Sequence, residues 1–323
     1  MANPVGTFQT YQAIGNREDL DNMIAMISPT QTPFYSMAKK GKVTNKYFEW
    51  QTDALATAAN NAQVEGDTPS NTTVTPTTRV FNVAQISSKT FNISGTQRAS
   101  NPAGRGDELA YQLVKYGKEV KRDVEVGLTQ NNSYRAGASG TARLSASLES
   151  WMSTNWTSQN ASPTSAASPG FSSSGTLAPT DATTPATLTQ ANVNAIIRQC
   201  WNAGGEPDVI LCGPFNKVKV SGFTGVLTNT IQQKAGGQAT IIAAADAYQS
   251  DFGLFKVVPS RFCRDRTLTV LDMEYWEIAV LRPFTQEALA KVGDSDQRMV
   301  LTEVGLKSLN EGASGKVADL TTS

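Results

Sequence analysis

The chain of 323 residues contains no histidine. That absence removes the side chain that most often serves as general base and as metal ligand near neutral pH. Cysteine is scarce: Cys200, Cys212 and Cys263 stand far apart, in no ligand spacing, and are read as reduced, buried thiols rather than a zinc set or a disulfide framework. No apolar run reaches the length of a membrane span. The opening MANPVGTFQTY has neither a charged n-region nor an apolar h-region, so no signal peptide is expected. Without one, the sequons at Asn155 and Asn160 carry no weight. Charge of one sign is lacking too: 28 acids balance 28 bases, and nothing suggests a nucleic-acid groove.

A catalytic or cofactor-binding constellation is equally hard to find, and no cofactor or metal is expected. Gly236-Gly237 lacks the Lys-Ser or Lys-Thr that a phosphate loop needs. Asp294-Ser295-Asp296 has two oxygen ligands but not the rest of a calcium loop, and is read as a hairpin turn. The acids Asp265, Asp272, Glu274 and Glu277 alternate around strands as solvent-facing residues do. Arg105-Gly106-Asp107 spells an integrin-binding tripeptide, but its Asp serves better as a helix cap. The expectation is a protein that is not an enzyme.

What is present begins with a rod. From Asp107 to Gln130, DELAYQLVKYGKEVKRDVEVGLTQ places Leu109, Leu113, Tyr116, Val120 and Val124 on one helical face. Lys115, Lys118, Glu119, Arg122 and Glu125 gather opposite. Asp107 stands where its carboxylate can cap free N–H groups and meet the positive dipole end. At 1.5 Å per residue the helix is about 36 Å long.

Before the rod, Val43 to Arg98 reads as a long two-stranded arm. Phe81, Val83, Phe91 and Ile93 share one parity between Arg79 and Ser94, against Asn82, Ser88, Thr90 and Asn92, the period of a strand. VTNKYFEWQT from Val43 is its expected partner. The tip between them has turn residues and little to bury. Such a hairpin cannot stabilise itself alone, and no later stretch presents itself as a lid, so another copy of the chain is the expected support.

In the remainder, Asn16 caps an expected helix with the stripe Leu20, Met23, Ile24 and Ile27, and Thr32-Pro33 opens a second over FYSMAKKG. Residues 131–187 are rich in Ser, Thr, Ala, Gly, Asn and Pro, most densely from Thr157 to Thr187. They are read as a surface loop or insertion pinned at Trp151 and Trp156. A helix with Val193, Ile196, Ile197, Cys200 and Trp201 on its buried side ends at Gly204-Gly205. The strands DVILC, TIIAAADAY and FKVVP, with a helix from Pro214, suggest a small sheet covered by helices. After Arg266 four strands, TLTVLD, YWEIAVLR, TQEALAKV and RMVLTEVGLK, form an antiparallel meander suited to pack on the long helix. The tail GASGKVADLTTS looks solvated.

Several separated blocks, in order, carry a resemblance: GNREDLDNMIAMISPTQTPFYSMAKKGKVTNKYFEWQTDAL, NVAQISSKTFNISGTQRA, AGRGDELAYQLVKYGKEVKRDVE and GGEPDVILCGPFNKVKVSGF. They resemble the SU-ten type of tailed-bacteriophage major capsid proteins. The resemblance implies an α+β chain with the Hong Kong 97 type fold: an N-terminal arm (1–42), an extended β-hairpin loop (43–97), a peripheral domain in two parts (98–187, with spine helix 107–130 and insertion 131–187, and 267–323), and an axial domain (188–266). The implied function is self-assembly through hexamers and pentamers into the icosahedral shell enclosing phage DNA.

Other partners would be portal, scaffolding and decoration proteins and packaged double-stranded DNA without sequence-specific contacts; no membrane is involved. Another virion protein, such as a decoration or tail-tube subunit, and a histidine-free hydrolase are the alternatives. Two departures matter. Residues 53–78 contain no lysine, which argues against a Lys–Asn isopeptide link at the loop tip, and the family-like block starts near Thr10, so a cleaved scaffolding segment is not expected. In the family fold the extended loop crosses the neighbour's peripheral domain. Glu65 and Asp67 of the loop are therefore expected to approach Lys115, Lys118 or Arg122 of another copy, unless Glu119 and Glu125 already neutralise that stripe within the helix.

Overall fold

The computed structural model describes residues 31–68, 71–100, 106–158, 175–223 and 247–322. The helix expected after Asn16, residues 240–246 of the strand TIIAAADAY, Gly236-Gly237, the sequon at Asn160 and residues 159–174 of the Ser/Thr-rich stretch lie outside them. The rod is α3, Glu108–Thr129, and its N-cap is Asp107, whose side chain accepts the N–H of Leu109.

Upstream of it come α1 (Pro33–Met37), β1 (Lys39–Lys42), β2 (Tyr47–Thr52), β3 (Thr78–Val83), β4 (Gln85–Ser94) and α2 (Gly95–Ala99). Downstream lie α4 (Leu148–Trp151), β5 (Trp156–Ser158), α5 (Gln190–Asn202), β6 (Val209–Cys212), α6 (Pro214–Ser221), β7 (Ala247–Ser250) and β8 (Gly253–Pro259). The chain closes with β9 (Leu268–Leu271), β10 (Trp276–Ala288), β11 (Ser295–Ser308) and β12 (Gly315–Ala318).

Three sheets result. One is four-stranded in the order β1-β10-β11-β4, one six-stranded in the order β5-β12-β9-β6-β8-β7, and β2 pairs only with β3. The long helix packs on β11 and β4: Val120 meets Phe91, Ile93 and Val300, with Leu109, Leu113 and Tyr116 alongside. The six-stranded sheet is buried on both faces. Ile210 and Cys212 point into the core under α5 and α6, whereas Val209 and Leu211, one residue out of phase, point into a central core with Trp151, Trp276 and Leu306. This is why DVILC reads as an unbroken apolar run.

Several expectations change, each because tertiary pairing overrides local pattern. The segment AKKG does not continue the helix: α1 stops at Met37, and Lys39–Lys42 pair in parallel with Glu277–Val280 as an edge strand. The supposed sixteen-residue strand breaks at Ala84, which is fully buried and donates its N–H to Lys46. Beyond the break β4 leaves β2 and pairs with β11 over ten positions, Ser295↔Ser94 to Val304↔Gln85. The polar middle of the arm therefore has its support within the chain.

Asn82, placed by parity on a polar face, is fully buried. Its amide donates to Leu306 O at 2.7 Å, Ser145 Oγ at 3.1 Å and Ala146 O at 3.3 Å, and its oxygen accepts from the N–H of Ala146 at 3.1 Å and of Val83 at 2.9 Å.

Only part of the described residues in 131–187 is the surface loop expected: most of 135–142 and of 177–187 is exposed, but the rest is drawn into the body. Ser145 to Met152 are buried, with Trp151 against Trp50 at 5.3 Å between ring centres, and 175–187 bury Thr176 and Ala182. The strands expected on either side of Pro283 are one strand, β10, which carries register shifts between Val280 and Arg282 and between Arg282 and Thr285; a bulge accommodates a residue without an N–H. The tail is not solvated: β12 sits between β5 and β9, and Lys316, Val317 and Leu320 are buried. Within the expected stripe of α5, Trp201 is exposed while the other four residues are buried. Asp272, read as solvent-facing, is buried and accepts the N–H of Glu206 and of Glu274.

Candidate assembly interface

The hairpin β2–β3 is fixed only at its base. Trp50 donates its indole N–H to Ser308 O at 2.7 Å, and Phe48 stacks on Trp50. Gly305 of β11 lies so close beneath that an added Cβ would stand 2.7 Å from Val83 O and 2.8 Å from the Phe48 ring; only glycine allows the crossing. Past the last pair, Thr52↔Thr78, the described residues of 53–77 form neither helix nor strand and are exposed throughout. Leu55, Val64 and Val74 are 99%, 74% and 89% exposed. These three aliphatic side chains have no packing partner among the described residues. Glu65 and Asp67 flank Gly66, whose φ of +81° turns the tip, with the Asp67 N–H donating to Val64 O.

The cationic residues of α3 stand elsewhere in the subunit, and no ion pair or hydrogen bond among the described residues joins them to Glu65 or Asp67. Lys118 is exposed; Lys115 and Arg122 are half-buried. Lys115 lies 5.9 Å over the Tyr116 ring, and the buried Nε of Arg122 has no hydrogen-bond partner among the described residues. The two glutamates expected to neutralise this stripe are engaged in other ways. Glu119 and Asp123 hold Lys89 of β4 at 2.9 and 3.2 Å.

Glu125 is not on the outer face at all. It is buried and accepts the N–H groups of Phe34 at 2.9 Å and Tyr35 at 2.8 Å, filling the cap role that the Thr32 hydroxyl leaves undone. Burial pushes its carboxyl above the usual carboxylate range, against the pull of those two amides and Lys121. The apolar stripe widens toward the C-terminal end of α3, where Leu128 and Thr129 are buried as well, because α1 covers a second side there.

One groove beside α3 was not foreseen from sequence. Tyr35, Leu113, Gly117, Lys121, Phe284 and Val300 are among the residues that line its volume of about 510 Å³. Tyr35 and Phe284 meet edge to face at 6.1 Å, and the Lys121 ammonium lies 5.8 Å from the Tyr35 ring. Gly117 stands in the middle of the helix, where glycine costs about 1 kcal/mol relative to alanine, yet a Cβ there would meet nothing within 4 Å. That unexplained glycine was the available signal; Phe284 lies between two of the strands expected from sequence.

A compact charged cluster lies around Glu149. Glu149 is buried and paired with Arg264 at 3.0 Å, and Arg264 also reaches Asp181. Lys316, buried beside them, donates to Glu149 O at 2.7 Å, and desolvation pulls its ammonium down to about 8. The cysteines are free, and burial pushes each thiol up to about 12, which leaves them protonated and weakly nucleophilic. Among the described residues no group of three His, Cys, Asp or Glu could hold a metal, and no helix is long and apolar enough to cross a membrane.

The profile of the family described as SU10 major capsid protein matches residues 4–321. A major capsid protein of Escherichia phage Phieco32 is 30% identical over a 354-residue alignment that covers 98% of this chain and 97% of the relative. Among solved structures, the capsid asymmetric unit of Cyanophage A-1(L) is similar with a TM-score of 0.66 at 13% identity, covering 97% of this chain and 99% of that one. The capsid of a native GTA particle is similar with a TM-score of 0.61 at 10% identity, covering 99% and 100%.

Proposed function

This chain belongs to the SU10 major capsid protein family, and from that premise we propose how its parts build a shell. It is a major capsid protein of a tailed bacteriophage with the Hong Kong 97 type fold, its place is the virion capsid, and its first partner is itself. The proposal is that copies assemble through hexamers and pentamers into an icosahedral head enclosing double-stranded DNA, which the protein contacts without reading its sequence. No catalysis is assigned to it. Portal, scaffolding and decoration proteins complete the set of partners.

In this reading residues 1–42 form the N-terminal arm and 43–97 the extended loop. Residues 98–187 and 267–323 form the peripheral domain around α3, and 188–266 the axial domain, whose sheet takes β5, β9 and β12 from the flanking segments. Glu65 and Asp67 at the loop tip meet the Lys115, Lys118 and Arg122 stripe of a neighbour. Support comes from the partners of Glu119 and Glu125: both acids are committed to other contacts and do not neutralise the stripe.

The observation that carries the overlap is the exposed tip. Residues 53–77 make no core of their own, yet present Leu55, Val64 and Val74 to solvent. Deleting 56–77 should leave a folded subunit, since β2 and β3 are anchored below the cut, but one that forms no stable shells. Negative-stain electron microscopy and sedimentation of the purified proteins test this. Closed particles are expected from the full chain and free subunits or rings from the deletion; wild-type-like particles from the deletion would refute the overlap.

A further inference from the structure

We propose that the groove floored by Gly117 is the seat of an apolar plug, Leu55 with Val74, from the extended loop of a second copy. The inference rests on the shell assembly proposed above and adds to it a specific apolar contact, separate from the charged stripe. Three independent features meet in it. First, the groove is apolar and open: Leu113, Val300, Phe284 and Tyr35 present ring and aliphatic surface, and the described residues leave it unfilled. Second, Gly117 weakens a long helix, and among the described residues nothing stands above its Cα. A glycine there lets a foreign side chain come down onto the helix backbone.

Third, the loop is complementary in charge as well as in polarity. Residues 53–77 contain no lysine or arginine but do contain Asp53, Glu65 and Asp67, and the groove is bordered by Lys121, which forms no ion pair among the described residues. Leu55 lies three positions beyond the last pair, Thr52↔Thr78, and Val74 four positions before it on the returning segment, so the two are at similar chain distances from the hairpin. Asp53, two residues from Leu55, then faces Lys121. Around the helix axis Gly117 and Lys121 are followed by Lys118, Arg122 and Lys115, at 100° per residue. A loop crossing α3 from the groove side therefore carries its acidic tip on toward that stripe.

The test separates subunit folding from assembly. In Gly117→Leu the new side chain has room and removes a helix glycine, so the thermal midpoint of the subunit should be unchanged or higher. Its assembly threshold should nevertheless rise at least tenfold, because the groove is filled from within. Gly117→Leu combined with Leu55→Gly should recover part of the loss, since the plug has been shortened where the floor was raised.

As a second readout, particles of a Gly117→Cys, Leu55→Cys variant treated with a short bismaleimide should give covalent multimers, with mass spectrometry joining 55 to 117 between copies. Shells that form from Gly117→Leu at the wild-type threshold would overturn the proposal while leaving the shell reading intact. So would a cross-link mapped to any segment outside 53–77. Wild-type protein that forms no shells at all would overturn both.

Discussion

Glu125 and Phe34 are joined across 91 positions of sequence: the buried carboxylate accepts the Phe34 backbone N–H at 2.9 Å. With the Tyr35 N–H at 2.8 Å on its other oxygen, it ties the segment that leads out of the N-terminal region to the inner side of the long helix. The bond replaces an ordinary cap and fixes α1 against α3 before the chain turns into β1.

Replacing Glu125 by Ala leaves two buried donors unsatisfied and should destabilise the subunit by about 2–5 kcal/mol. The pH dependence is the sharper signature. Desolvation raises the carboxyl in the folded state, so the native subunit holds that proton more tightly than the unfolded chain. The contribution to stability is present below the ordinary carboxylate value and is lost as pH rises through the raised one. Glu125→Gln should therefore fall further behind wild type at pH 4.5 than at pH 7 in urea titrations. Equal deficits at both would remove the protonation argument.

Asn82 joins the hairpin base to β11 and to the segment before α4, with five hydrogen bonds to groups on three stretches of chain. Asn82→Ala should cost about 2–4 kcal/mol, since buried partners are left unpaired. Asn82→Asp should be no better, because it keeps the acceptor for the Ala146 N–H but presents a carboxylate to the Leu306 carbonyl. Chemical denaturation of the two variants checks this; a deficit under 0.5 kcal/mol (roughly that of an ordinary surface change) would show that the network is replaceable.

Lys316 releases its proton at a lower pH than a surface lysine. Burial lowers its ammonium to about 8 in the folded subunit, against 10.5 for an ordinary lysine. Between those values the unfolded chain binds a proton that the native subunit has released, so this group makes stability rise with pH across the window. The rise should approach about 3 kcal/mol. In Lys316→Met it should vanish, with Glu149 still paired to Arg264. Denaturation curves at pH 8, 9 and 10 would decide; parallel pH profiles of the two proteins would contradict it.

The contact between loop tip and spine stripe predicts a reciprocal charge swap. Glu65→Lys with Asp67→Lys should raise the concentration needed for assembly, and adding Lys118→Glu with Arg122→Glu should partly restore it. Each exposed pair contributes only about 0.2–1 kcal/mol, so the effect depends on repetition around every ring and should shrink at high salt. Additive damage without rescue, read by sedimentation, would show that the two patches never meet.

By itself the sequence determined the elements whose pattern is local. The period of Leu109, Leu113, Tyr116 and Val120 and the Asp107 cap define α3, and DVILC defines β6, whereas of Asp294-Ser295-Asp296 only Asp294 lies in the turn and the other two begin β11. Ordered blocks of residues sufficed for the family and the shell function. Tertiary structure alone decided which strand each polar stretch pairs with and which charges go inside. β4 leaves the hairpin because the ladder with β11 satisfies ten residues that a free arm would leave in water, and AKKG becomes an edge strand because β10 lies beside it. Asn82, Glu125 and Lys316 sit inside because donors and acceptors more than sixty positions away surround them, and no periodicity along the chain records such partners. Gly117 belongs to the same class: its cost to the helix could be read from the sequence, but the empty groove above it exists only once Tyr35, Phe284 and Val300 have been brought together.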